Sequence, residues 1–128
     1  MKVRYWEKAK KELSIKDDNL KKIINKSGNE YLTKSIDPFI TLFNSILGQQ
    51  ISVSAATSIK KKIISKVKIT AKEIDGISEE ILKNCGLSRM KISYLKDLSS
   101  KIINKEISFK DLYKLDDNEV IKYLTSVK

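Results

Sequence analysis

The sequence predicts an all-α fold, a compact orthogonal bundle of short helices. Turn formers are scarce: 128 residues include four glycines and a single proline, while helix-favouring Lys, Leu and Glu are plentiful. Helix start signals recur from end to end, each an Asp, Ser or Thr ahead of apolar residues at helical spacing. No segment alternates with period two, and no Asn-Gly or Asp-Gly turn joins β-branched runs. Asp75-Gly76 falls inside a helical connection instead.

The elements follow in order. Tyr5, Trp6, Ala9 and Leu13 share one face of an amphipathic first helix. Asp17 or Asp18 caps a second, with Leu20, Ile23 and Ile24 as its apolar members and Gly28 as its stop. Asp37-Pro38 is a strong start: an N-cap acid, then proline at the first helical position, where no amide donor is missed. The helix it opens carries Phe39, Ile40, Leu42, Phe43, Ile46 and Leu47. Being apolar nearly all round, it belongs at the centre of the core.

Ser52 caps the next helix, which runs through Ala55, Ala56, Ile59, Ile63 and Ile64. Thr70 to Glu73 has the form of a capping box for a short helix, and Ser78 caps another that ends at Gly86. Ser88 opens a longer amphipathic helix through Ile92, Leu95, Leu98, Ile102 and Ile103. Ser108 and Asp116 start two short final ones, the last with a capping box to Glu119. Residues 1–36 are expected to supply N-terminal helices of a first lobe, and residues 37–128 a helical-bundle lobe.

Composition narrows the function classes. Lys and Arg total 26 against 16 acids, a net charge of +10, which attracts polyanions such as nucleic acid. An A+T-rich genome inflates Lys, Ile and Asn together, so charge alone identifies nothing. With one cysteine and no histidine, the usual zinc centre and a histidine base are both excluded, and no metal or cofactor is expected. Cys85, between Leu82 and Leu87, reads as a small buried hydrophobe. The N-terminus has no apolar signal region and no run is long enough to span a membrane, so a cytoplasmic setting is expected.

The most informative run is Phe43-Asn-Ser-Ile-Leu-Gly-Gln-Gln-Ile-Ser-Val-Ser-Ala-Ala56. A very apolar helix ends in glycine and two glutamines, and a serine-capped helix starts at once. Two amides at such a corner either reach into a groove to meet base edges or merely satisfy helix-end groups.

Ile46-Leu-Gly-Gln-Gln-Ile-Ser52 followed by Ala55-Ala56 resembles the signature of the alkylation-repair branch of the helix-hairpin-helix DNA glycosylases, the bacterial 3-methyladenine type. Cys85-Gly-Leu-Ser-Arg-Met-Lys-Ile-Ser-Tyr-Leu95 is similar to that family's Gly-x-Ser-x-x-Lys-x-x-x-Leu helix. Leu112 to Leu115, Asp117, Glu119-Val120 and Leu124 are similar to the short helices that precede its hairpin. The resemblance implies base-excision repair: flipping of an alkylated purine and hydrolysis of its N-glycosidic bond.

It also implies site roles. Gln50 is the plug that fills the vacated stack, Gln49 lies beside it, and Ser88 is a second minor-groove contact. Ser52, Arg89 and Lys91 are candidates for phosphate contact, although Arg89 and Lys91 equally fit a solvated helix face. Trp6, Phe39 and Phe43 are candidates for a base pocket, or else core residues at helical spacing. The partner is double-stranded DNA containing alkylated or abasic sites, bound by a monomer at the bacterial nucleoid.

No Gly-x-Gly hairpin is present, and none of Asp75, Asp97, Asp111, Asp116 or Asp117 stands in the family's catalytic context. The expectation is a C-terminally truncated glycosylase whose catalytic aspartate lies beyond Lys128, leaving the 128-residue chain inactive. The alternatives are a catalytically silent basic DNA-binding module, or a basic helical interaction protein with an accidental glutamine corner.

Overall fold

The computed structural model describes residues 2–35 and 37–128, which form nine α-helices. The chain divides into two compact units, Met1–Ile36 and Asp37–Lys128. The all-α prediction holds. Among the described residues, β-pairing is confined to one isolated antiparallel bridge between Lys2 and Thr33.

The first unit is the pair α1 (Trp6–Lys16) and α2 (Asp18–Lys26). Asp17 both ends one helix and starts the next. Its extended backbone breaks α1, and its carboxylate accepts from the Asn19 and Leu20 amides at 2.7 and 3.0 Å. Tyr5, expected on the first helical face, precedes the helix as its N-cap residue and stands 61% exposed. Neither helix contains a buried residue, because so small a unit has little interior to offer.

In the second unit, α3 (Pro38–Gly48) starts as anticipated, with Asp37 accepting from the Ile40 amide at 3.2 Å and Pro38 in the first turn. It is followed by α4 (Val53–Ile64), α5 (Ala71–Gly76), α6 (Glu79–Asn84), α7 (Arg89–Ile103), α8 (Phe109–Leu112) and α9 (Asp117–Leu124). The core gathers Phe39, Phe43 and Leu47 of α3 with Ile92, Leu95 and Leu98 of α7. Positions three and four apart on each helix therefore present one buried stripe. Helix α7 is the organiser, packing on α3, α5 and α6. Cys85 is buried, as its apolar neighbours foretold.

The caps are mostly as expected, with two differences. Asp116 and Glu119 close a full capping box at 2.9 Å each way. Thr70 caps α5 through the Glu73 amide, but the box is only half made, because the Thr70 amide already donates to Lys68 O. Ser108 makes no side-chain cap on the four-residue α8, and its backbone N–H donates to the Tyr123 hydroxyl instead.

Both ends of the Gly-x-Ser block have a physical cause. After α6, Leu87 N–H bonds to Leu82 O and Gly86 N–H to Lys83 O, the Schellman pattern, with Gly86 left-handed at φ +106°. A Cβ there would meet Ile59 Cγ1 at 3.1 Å, a tight contact that adds to the backbone's preference for glycine. The same pattern ends α7, where Lys105 and Glu106 amides bond to Ile102 O and Lys101 O. The left-handed position is occupied by Lys105 at φ +61°, with no glycine to relieve it. Lys105→Gly is therefore expected to stabilise the chain by about 1 kcal/mol, read as a rise in urea midpoint. A lower midpoint would show that the lysine side chain makes up for its backbone strain.

Candidate nucleic-acid interface

The glutamine corner arises from two helices that stop and start within four residues. Helix α3 ends at Gly48, and Gln49 leaves it with extended backbone (φ −59°, ψ 128°), its amide still bonded to Ile46 O at 3.3 Å. Gln50 turns left-handed at φ +56°. Ser52 then caps α4, accepting from the Ala55 amide at 3.2 Å, with its hydroxyl 3.2 Å from that of Ser54. Gln49, Gln50, Ile51 and Ser52 are all exposed. The amides do not fold inward.

A left-handed non-glycine residue costs about 1–2 kcal/mol, so Gln50 stands where glycine would be easier. Strain of this kind gathers at sites that work on a ligand. Apolar residues flank the amides: Ile51 is 37% exposed and Val53 84%. That mixture suits a minor-groove wedge, which inserts side chains between base steps.

The start of α7 lies at the same end of the unit as the corner, because Lys91 Nζ reaches Leu47 O at 2.8 Å. Ser88 caps α7 through the Lys91 amide at 3.3 Å, and Ser88, Arg89 and Met90 are exposed. Two serine-capped helix starts thus accompany the glutamines. Their free amides and dipoles favour anions such as phosphate.

Lys91, Phe39 and Phe43 stand away from their expected roles. Lys91 is 9% exposed and spends its ammonium on a backbone carbonyl, so it is not a surface cation waiting for phosphate. Phe43 is fully buried and Phe39 nearly so, their rings 6.4 Å apart in the core, which leaves no face for a base. Trp6, in the first unit, is half-buried with its indole N–H on Glu30 O at 3.0 Å.

A shallow cavity of about 250 Å³ lies against the corner, lined by residues that include Asn44, Gly48, Ser52, Thr57 and Lys60, and by no carboxylate. Three of the aspartates considered as catalytic candidates are engaged elsewhere. Asp97 takes Lys101 Nζ at 2.8 Å and the Lys128 amide at 2.8 Å, and the Lys101 ammonium holds its carboxyl below the usual carboxylate range. Asp116 is a cap, and Asp111 pairs with Lys114. Among the described residues, no group of His, Cys, Asp or Glu is placed to hold a metal ion, and no helix is long and apolar enough to cross a membrane.

Residues 43–127 match the family described as HhH-GPD superfamily base excision DNA repair protein. The chain belongs to that superfamily.

Among curated relatives, it is 31% identical over 94% of its length to DNA-3-methyladenine glycosylase 1 of Schizosaccharomyces pombe. It is also 39% identical over 72% of its length to the DNA-3-methyladenine glycosylase of Saccharomyces cerevisiae. A solved 3-methyladenine DNA glycosylase of Schizosaccharomyces pombe, in complex with abasic DNA, superposes with a TM-score of 0.84 at 29% identity over 94% of this chain. The chain spans 57% and 35% of the lengths of the two curated relatives and 63% of the solved one.

Sequence reasoning missed the burial of Lys91, the left-handed Gln50 and the apolar residue Val53 beside it. The only sequence signal for the last was an apolar residue just after a cap.

Proposed function

We propose that the protein acts in base-excision repair of alkylated DNA, and that this chain supplies the part that holds the duplex open around a flipped base. Extrusion of a nucleotide costs a few kcal/mol of lost stacking, least for damaged or mispaired bases. Gln50 enters the gap and offers its amide to the widowed base, with Gln49 beside it. Ser52, Ser88 and Arg89 meet the flanking sugar-phosphate backbone, adding salt-dependent and sequence-blind affinity.

The observation that carries this reading is the exposed pair of amides on a strained, doubly capped corner. The relatives' names, and the abasic DNA in one relative's structure, support the same reading.

In the whole protein the reaction is hydrolysis of the N-glycosidic bond of a purine such as 3-methyladenine. The base carries a positive charge while attached, so its bond to the sugar is already weakened. Water adds to the sugar carbon, the purine leaves neutral, and the water's proton passes to a general base. A carboxylate that stabilises the cationic sugar serves as it does in glycoside hydrolysis. We assign that role to no carboxylate of this chain: Asp116 is a cap and Asp97 an ion-pair partner. The partner is duplex DNA with alkylated or abasic sites, bound by a monomer, and the cellular setting this implies is the nucleoid.

The test uses the 128-residue chain. It is expected to bind a duplex with one abasic site in preference to the intact duplex, and to release no 3-methyladenine from alkylated DNA. Equal affinity for both duplexes would remove the wedge. Release of the base would place a catalytic carboxylate among residues assigned here to structure.

A further inference from the structure

We infer that Lys91 is a positioning residue for the glutamine corner, fixing where α3 ends and so where Gln50 stands; this rests on the function proposed above. Lys91 is 9% exposed, and its ammonium donates to Leu47 O at 2.8 Å. Among the described residues no carboxylate lies within ion-pairing distance of it. A buried ammonium with no counter-charge is costly, so stability alone gives a poor reason to keep it.

The geometry supplies another reason. The last carbonyls of a helix have no partner within it. Were α3 to run on by a turn, Leu47 O would accept from the Ile51 amide, and Gln49 and Gln50 would disappear into the helix side. Lys91 takes the place of that amide. Its positive charge also suits the negative end of the helix dipole. Leu47 itself is 2% exposed and anchored in the core, so the bond ties the corner to a fixed point.

At its other end Lys91 sits in the first turn of α7, where its own amide is the donor to the Ser88 cap. One residue therefore sets the end of α3 and joins it to the start of α7, bringing both candidate contact points into one frame. The strained φ of +56° at Gln50 needs such surroundings, because a left-handed residue persists only where its neighbours over-determine it. Helix α7 uses the same device lower down, where Lys96 Nζ donates to Asp75 O at 2.6 Å and to Ile77 O at the end of α5.

A double-mutant cycle on the 128-residue chain tests the inference, reading affinity for abasic and intact duplexes at several salt concentrations. Lys91→Met is expected to melt cooperatively and to lose about tenfold in preference for abasic DNA. Combined with Gln50→Ala it is expected to be no worse than Gln50→Ala alone, since one acts through the other. The salt slope stays at the parent value, whereas a phosphate contact would lower it by about 0.9. Lys91→Arg, which keeps a cationic donor, is expected to hold most of the preference.

Additive losses, a reduced salt slope or an unchanged Lys91→Met would each overturn the inference while leaving the wedge intact. Loss of the cooperative melt in both Lys91 variants would make Lys91 a stability residue and overturn it too. If Gln50→Ala itself had no effect, the wedge reading would fail and take this inference with it.

Discussion

The Gln50→Ala chain is expected to bind an abasic duplex about tenfold more weakly than the parent, with less than about twofold change on intact duplex. The asymmetry is the point. Only a duplex with a vacant stack has a hole for the amide to fill, and an unfilled hole leaves the opposite base unpaired and exposed. A surface cation behaves otherwise: Lys72→Ala, at an exposed position of α5, should weaken both duplexes alike and only slightly.

Gln50→Gly adds a second reading of the same corner. It relieves the left-handed strain as Lys105→Gly does, by more than the looser unfolded chain takes back, so stability should rise by up to about 1 kcal/mol. Affinity for abasic DNA should nevertheless fall as far as in Gln50→Ala. A glutamine that folding does not need but binding does is the signature of a functional corner. Fluorescence anisotropy and urea unfolding on the three chains measure both sides. Equal losses on the two duplexes would reduce Gln50 to a helix-end residue.

Phe43→Ala is expected to cost about 3–5 kcal/mol, a large share of the stability of a small domain. Phe43 is fully buried and its ring meets Phe39 at 6.4 Å with a 44° tilt. Truncation leaves a cavity at the heart of α3, the helix that ends in the corner. Two outcomes separate the core from a base pocket. A core residue lowers the urea midpoint sharply and affects DNA binding only through folding. A pocket residue leaves the midpoint near that of the parent while changing which base is held. The burial predicts the first.

Much of this architecture was legible because it is written locally. Asp37-Pro38, Ser52, Ser88 and the Asp116–Glu119 box each act within one helical turn, and all four start the helices they were expected to start. Thr70 shows the limit of that logic: its amide was claimed by Lys68 O, a neighbour outside the pattern. The pattern alone left Gln49 and Gln50 between a groove contact and a helix-end role, and the structure shows both residues exposed.

What the sequence hid is tertiary. Nothing in the spacing of Arg89, Met90 and Lys91 says which side chain faces the core; the α3 terminus, 44 residues earlier, decides it. Phe39 and Phe43 have the helical spacing of both core and pocket residues, and only the packing of α7 on α3 separates the two. The left-handed Gln50 and Lys105 carry no glycine to announce them. A fold that is imposed by its surroundings cannot be read from the residue that bears it.

The central claim, that the α3–α4 corner enters the gap left by a missing base, is tested most directly by disulfide capture. Gln50→Cys and, as an exposed control, Lys110→Cys are each mixed with a duplex bearing a thiol-tethered base opposite an abasic site. The cross-link at position 50 should form at least about tenfold faster, because binding raises the local thiol concentration there. Equal rates at the two positions, or faster capture at position 110, would contradict the account.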